Sequence, residues 1–185
     1  MASCRSRPCI LYCSGTVRII DDFLSPSYAD QIESILNSPN QEWYFNKNIS
    51  QNKTASNLHY GFSYWIYKSD TGLTQSRVAT FLQPMLYQIQ YELEKDTLLR
   101  CRLDMTVCSG VEVTHDRHVD MPGVPNTTTI YYVSDSDGDT VVYDETEHRV
   151  KPKKNRLLVF DGSLYHTGHS PLTHQNRILI NSNFA

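Results

Sequence analysis

No run of apolar residues in this 185-residue chain approaches the roughly 20 that a membrane-crossing helix needs. Neither sign of charge is in large excess. Seventeen Lys and Arg stand against 20 Asp and Glu, giving a net charge of −3 and a pI near 6.1. That leaves no bulk electrostatic case for a nucleic-acid or membrane partner. No internal repeat or low-complexity stretch is present. The N-terminal "MASCRSRPCILYCSG" places basic residues before "CILYC", an apolar run too short for the core of a secretion signal. The five cysteines are an odd number and lack Cys-x-x-Cys spacing. Cys4, Cys9 and Cys13 have no nearby histidine, which argues against a zinc knot. Reduced thiols in a cytoplasmic protein are expected, with residues 1–15 a loosely ordered arm. "SDSDGD" (134–139) lacks the sixth-position glycine and closing glutamate of a calcium loop and reads as a hairpin turn.

What is present fits one domain over 1–185. A chain of this length can bury roughly 70% of its unfolded surface without a staple. "TVRIIDDFL" (16–24) reads as a strand. Ser25 then looks like an N-cap with Pro26 at the first helical position, opening a helix that buries Tyr28, Ile32, Ile35 and Leu36. "EWYF" and "HYGFSYWIY" flank a polar loop as strands. A second helix fits about 74–95 with Val78, Phe81, Leu82, Leu86, Ile89 and Leu93 inward, and Pro84 should kink it or mark a restart. From about 100 onward the pattern becomes short strands and turns: "RCRLDMTVC", "TTTIYYV", "DTVVYDE", "HRVKP", "NRLLVFD" and "RILINSNF". Such a run predicts a sandwich or jelly roll, mainly β, with the helices confined to the first half.

The chemistry gathers in that second half. "HVDMPGVPNTTTIYYV" (118–133) opens on a histidine and an aspartate at i and i+2, which leave an extended chain on the same face. With 7 His and 13 Asp, such a pair arises by chance about once in two chains of this composition, so it needs a third partner. One is available in "NRLLVFDGSLYHTGHSPLTHQNRILINSNF" (155–184), where histidines follow a hydrophobic strand and a "DGS" turn. Two histidines and a carboxylate on one face of a β-barrel form the facial triad that holds non-haem Fe(II) with open positions. Arg177, entering the last strand, would meet the far carboxylate of a bidentate co-substrate through its planar fork.

Four elements carry a resemblance: "HVD" (118–120), "TTTIYYV" (127–133), "NRLLVFDGSLYHTG" (155–168) and "NRILINSNF" (176–184). In order and spacing, the segment from about 100 to 185 resembles the Fe(II)/2-oxoglutarate-dependent dioxygenases of the prolyl-hydroxylase type, the small phage-like and marine-bacterial members above all. The resemblance implies a double-stranded β-helix core (jelly-roll, cupin-like) with N-terminal helices packed on one side. It also implies Fe(II), 2-oxoglutarate and dioxygen, with ascorbate an optional addition. His118, Asp120 and His166 would ligate iron, and Arg177 would bind the distal carboxylate. Tyr132 would hydrogen-bond the same carboxylate. Strand parity puts His166 and His169 on opposite faces without choosing between them. The family's "FDGS…H" pattern selects His166, and His169 lies two residues before Pro171, where the chain should turn away. A co-substrate tyrosine often precedes the His-x-Asp by about ten residues, and this chain has Cys108 there. Trp43, Tyr60, Tyr64, Arg117 and the 121–126 loop are the expected substrate contacts at the open end.

The implied reaction is oxidative decarboxylation of 2-oxoglutarate to succinate and carbon dioxide, coupled to hydroxylation of a C–H bond. A prolyl or other side chain of a protein or peptide is the leading substrate class. A free amino acid, small metabolite or nucleobase would keep the same chemistry. A cupin-like metal- or ligand-binding protein without turnover is the non-enzymatic alternative, and Arg177 argues against it.

Overall fold

A computed structural model describes residues 9–13, 16–49 and 58–185. The strands are β1 (Cys9–Cys13), β2 (Val17–Asp21), β3 (Tyr44–Asn46), β4 (Gly61–Lys68), β5 (Gly72–Leu73), β6 (Leu98–Val107) and β7 (Thr127–Tyr132), then β8 (Thr140–Tyr143), β9 (Glu147–Val150), β10 (Arg156–Asp161), β11 (Tyr165–Gly168) and β12 (Asn176–Phe184). The helices are α1 (Pro26–Leu36) and α2 (Arg77–Leu93). All pairings are antiparallel. One nine-stranded sheet runs β1-β2-β10-β7-β12-β6-β4-β3, with β5 beside β4. A second sheet runs β11-β8-β9. The protein is therefore mainly β, two facing sheets with both helices on one side, consistent with a double-stranded β-helix.

Alternation along the central strands builds two cores. Leu157, Val159, Ile178, Ile180, Tyr131, Leu103 and Phe184 face the helices and join Ile32, Leu36, Leu82, Met85 and Ile89. Leu158, Phe160, Ile130, Tyr132 and Leu179 face the small sheet and join Val142 and Val150. Strands buried on both faces read as continuous apolar runs, which is why "RLLVF" and "RILI" lack polar alternation.

Pro26 opens α1 beside Ser25, whose side chain makes no capping bond, and Ala29, Ile32 and Leu36 are its fully buried stripe. Tyr28 and Ile35 are only partly buried against the same core. The second helix starts at Arg77 rather than near 74, because Ser76 caps it through Ala79 N and Gly72–Leu73 belong to a short strand on β4. Pro84 lies within a single continuous helix and forces no restart; it withholds one backbone donor.

Three expectations are corrected. Strand β1 pairs with β2, so Cys9–Cys13 form a sheet edge rather than a loose arm. Residues 1–8 and 14–15, Cys4 among them, lie outside the described residues. "SDSDGD" is not a hairpin turn, since β7 and β8 belong to different sheets and the segment carries the chain between them. The sheet also draws on both halves of the chain, β2 pairing β10 and β4 pairing β6, so the barrel is not confined to 100–185. Among the described residues no helix is long and apolar enough to cross a membrane.

Candidate metal centre and anion anchor

His118 sits in an irregular segment that forms an isolated antiparallel bridge with His166 of β11. The two residues exchange both backbone bonds, His118 N to His166 O at 2.9 Å and the reverse at 3.0 Å. Residues directly opposite in such a pair project to the same face. Asp120, two residues on, projects there as well. One backbone bridge and one i,i+2 step thus bring the three side chains together. Each offers a ligand atom, and these atoms lie within 4.8 Å of one another.

The hydrogen bonds select the tautomers. His118 Nδ1 lies 3.0 Å from Asp116 O, and His166 Nδ1 lies 3.4 Å from Leu164 O. A carbonyl can only accept, so each Nδ1 carries a proton, and in the neutral ring that leaves the lone pair on Nε2. The two Nε2 atoms stand 3.8 and 3.7 Å from the Asp120 carboxylate oxygens. Burial drives the His166 pKa down to about 4, so the ring is neutral near pH 7. Burial would raise that of Asp120, but His166, Arg100, the Asn181 amide and His118 together hold its carboxyl well below the usual range. Arg100 Nη2 reaches Asp120 Oδ1 at 2.6 Å, and Asn181 Nδ2 donates to Oδ2 at 2.9 Å. Neutral imidazoles and an ionised, oriented carboxylate are what a divalent metal of the first transition row requires.

The same pocket extends to Arg177. This guanidinium is 6% exposed and has no carboxylate within ion-pair distance among the described residues. Nη2 donates to Thr140 Oγ1 at 2.7 Å, which also accepts from Tyr132 OH at 2.7 Å. Nε has no partner. A buried cation with no adjacent counter-ion is expensive, and an anion at this end of the pocket would offset that cost. Gly138 and Gly168 make the room. A Cβ at Gly138 would come 2.9 Å from Arg177 Cδ and overlap the His169 carbonyl, and one at Gly168 would come 3.3 Å from Nη1.

No protein-family model and no curated protein matches the sequence. Solved structures do match the fold. A prolyl hydroxylase from Trichoplax adhaerens, in complex with a hypoxia-inducible-factor oxygen-degradation-domain peptide fragment, superposes with TM-score 0.69 at 16% identity, over 92% of this chain and 84% of that one. A prolyl-4-hydroxylase from Pseudomonas putida gives 0.64 at 15% identity over 91% of each chain. HygX from Streptomyces hygroscopicus, with nickel and 2-oxoglutarate bound, gives 0.61 at 12% identity over 92% and 82%. The chain has the 2-oxoglutarate/Fe(II) oxygenase fold.

Within that fold, His118, His166 and Arg177 line one pocket, and Asp120 clusters with the two histidines. His169 does not join them; its Nδ1 and backbone N both turn to Asp139 O, at 3.0 and 2.9 Å. Tyr132 is fully buried beside Arg177, with its hydroxyl on Thr140. The expected substrate contacts are not among the residues lining the pocket. Trp43 packs at the margin of the helix-side core and Tyr64 lies within it. Tyr64 pairs with Leu103, one residue out of phase with the pocket-facing Arg102 and Asp104. Tyr60 packs on Phe45. Arg117 is exposed, its guanidinium 3.6 Å above the Tyr143 ring. The 121–126 loop is mostly exposed and touches the site's scaffold through Asn126, which holds Gly162 of the turn before β11.

The pocket wall contains residues that the sequence reading missed: Arg102, Asp104, Thr106, His115 and Asn181, with Ile49 and Phe62 at one side. Arg102 and Asp104 form a partly buried pair at 2.7 Å. His115 is held between Ser170 Oγ (2.9 Å) and His59 Nδ1 (3.2 Å). Strand parity with Arg177 would have found Asn181. Arg102, Asp104 and Thr106 alternate with Cys101, Leu103 and Met105, a pattern that ordinarily marks a solvent-facing strand. A larger cleft of ≈ 430 Å³ lined by Ile35, Gln41, Tyr64 and Arg77 gathers no comparable ligand set.

Proposed function

We propose that the protein is an Fe(II)- and 2-oxoglutarate-dependent dioxygenase that hydroxylates a C–H bond of a protein or peptide side chain, with prolyl the leading candidate. The observation that carries the reading is the Arg177 guanidinium, without a carboxylate partner among the described residues, at one end of a pocket whose other end is a two-histidine, one-carboxylate cluster. A dicarboxylic keto acid is the ligand class with one end for a metal and one for an arginine. His118 Nε2, His166 Nε2 and Asp120 would hold Fe(II). With 2-oxoglutarate and dioxygen, that centre supplies oxidative decarboxylation to succinate and carbon dioxide and transfer of an oxygen atom to a C–H bond.

The chain's own residues do the rest. Arg100 and Asn181 keep Asp120 ionised and aimed. The backbone carbonyls of Asp116 and Leu164 hold the imidazoles in the ligating tautomer. Tyr132 supports the anchor through Thr140, which receives both its hydroxyl and the Arg177 guanidinium. The peptide assignment rests on the Trichoplax neighbour, which was solved with a peptide fragment.

The test is succinate formation from 2-oxoglutarate with Fe(II) and dioxygen, followed by mass spectrometry of peptide libraries for addition of one oxygen atom. Succinate is expected from the wild type and is lost in Asp120→Ala. Equal succinate from the two proteins would remove the triad. Oxygen addition only to small molecules would remove the peptide assignment.

A further inference from the structure

Several threonines of this protein donate their hydroxyl to a backbone carbonyl. Thr129 does so to Ser182 O at 3.2 Å, Thr74 to Trp65 O at 2.7 Å, and Thr167 to His115 O. Such bonds satisfy a threonine hydroxyl away from water. Thr106 does not follow them. It is 6% exposed, and its Oγ1 has no hydrogen-bond partner among the described residues. A buried hydroxyl without a partner costs stability, and in native proteins it commonly marks a site where a ligand or an ordered water completes the set.

Its position identifies the ligand group. On β6, Thr106 is the direct cross-strand partner of Arg177 on β12, and both line the pocket. Two donors therefore stand on adjacent strands at one level, the Thr106 hydroxyl and Arg177 Nε, with no acceptor for either among the described residues. Arg177 Nη2 is already committed to Thr140. Cys108 cannot share the task, because it is exposed and its thiol turns to Leu172 O at 3.1 Å. Asp104 is engaged by Arg102 at 2.7 and 3.1 Å. A carboxylate has two oxygens, so one guanidinium leaves acceptor capacity for a second donor.

We propose that Thr106 is a second protein donor to the distal carboxylate of 2-oxoglutarate, working across the strand pair with Arg177. This rests on the oxygenase reading above. Arg177 supplies the charge. Thr106 fixes the carboxylate's rotation and adds discrimination against keto acids that lack a distal carboxylate.

The test is calorimetric titration of the full chain loaded with Mn(II), using 2-oxoglutarate and, separately, 2-oxobutyrate, which has no distal carboxylate. Thr106→Val keeps the shape and removes the hydroxyl. It should weaken 2-oxoglutarate by about ten-fold and leave 2-oxobutyrate unchanged, and Thr106→Ser should recover most of the loss. The melting temperature of metal-free Thr106→Val should equal or exceed the wild-type value, because an unpaired hydroxyl is removed; a merely structural threonine would lower it. Unchanged 2-oxoglutarate affinity in Thr106→Val, or equal weakening of both keto acids, overturns the assignment while leaving the oxygenase reading intact. If wild type binds no 2-oxoglutarate at all, that reading fails and Thr106's role fails with it.

Discussion

Asp120 has two jobs at once. It is the carboxylate of the candidate metal centre and the partner of the largely buried Arg100 at 2.6 Å. Asp120→Ala should therefore lower Mn(II) affinity by roughly 100-fold and also lower the melting temperature, since it leaves a charge unpaired. His169→Ala should keep the metal; losing it there while His166→Ala retains it would reverse the choice of ligand. A second consequence at this scale concerns pH. Burial, with His59, Arg177, His169 and His118 nearby, pushes the His115 pKa down to about 3. An unfolded imidazole titrates near 6.5. Between those values the unfolded chain takes up a proton that the folded chain refuses, so stability rises with pH across the window and is lost as pH falls from about 6.5. His166, lowered to about 4, acts in the same direction. The melting temperature of the metal-free protein should drop between pH 7 and pH 5, and His115→Asn should show a shallower drop. An equally steep profile in that variant would mean His115 is already charged in the fold.

Among the elements, β6 and the 134–139 crossover show best where the sequence was legible and where it misled. The strand pattern of β7, β10 and β12 is readable because they are buried on both faces and carry β-branched, aromatic or aliphatic runs. The His-x-Asp step is readable because an i,i+2 relation needs no tertiary knowledge. β6 is readable as a strand but not as a wall of the site. Its Arg100, Arg102, Asp104 and Thr106 alternate with apolar residues as a water-facing strand would, yet Arg102, Asp104 and Thr106 line the pocket and Arg100 holds Asp120. Only the pairing of β6 with β12 reveals this, and pairing partners are not written in local sequence. The turn chemistry of "SDSDGD" was equally ambiguous. Asp137 there accepts from Thr173 N at 2.8 Å and Leu172 N at 3.2 Å, pinning a distant loop, and Gly138 lets Arg177 pass. Gly138→Ala should cost roughly 1–3 kcal/mol by overpacking. It should also weaken 2-oxoglutarate more than metal, because the added methyl meets Arg177 Cδ and not the triad. Calorimetry on the variant checks both, and an unaltered melting temperature with unaltered affinity would show that the floor is slack.

At the scale of the whole molecule, the residues that resemble an oxygenase and the residues that stabilise it come from different halves of the chain. The motifs lie in 118–184, but the helix-side core needs Ile32 and Leu36 of α1 and Leu82, Met85 and Ile89 of α2 against Leu103, Leu157 and Ile180. A fragment of residues 100–185 would expose that face of the sheet, so it should aggregate or melt without cooperativity; a sharp transition with retained Mn(II) binding would show that the first half is dispensable. The aromatic residues 43, 60 and 64 were unreadable as to side, since a strand aromatic serves a core or a pocket equally well until the sheet's faces are known. The central claim is that one pocket holds a metal at the triad and a dicarboxylate's far end at Arg177. It is tested most directly by anaerobic titration of Fe(II) and 2-oxoglutarate, followed by visible absorption. A charge-transfer band should appear only when both are present, and Arg177→Ala should need far more 2-oxoglutarate to develop it while binding Fe(II) as the wild type does. No band in the wild type, or a band saturating at the same 2-oxoglutarate concentration in Arg177→Ala, would contradict the account.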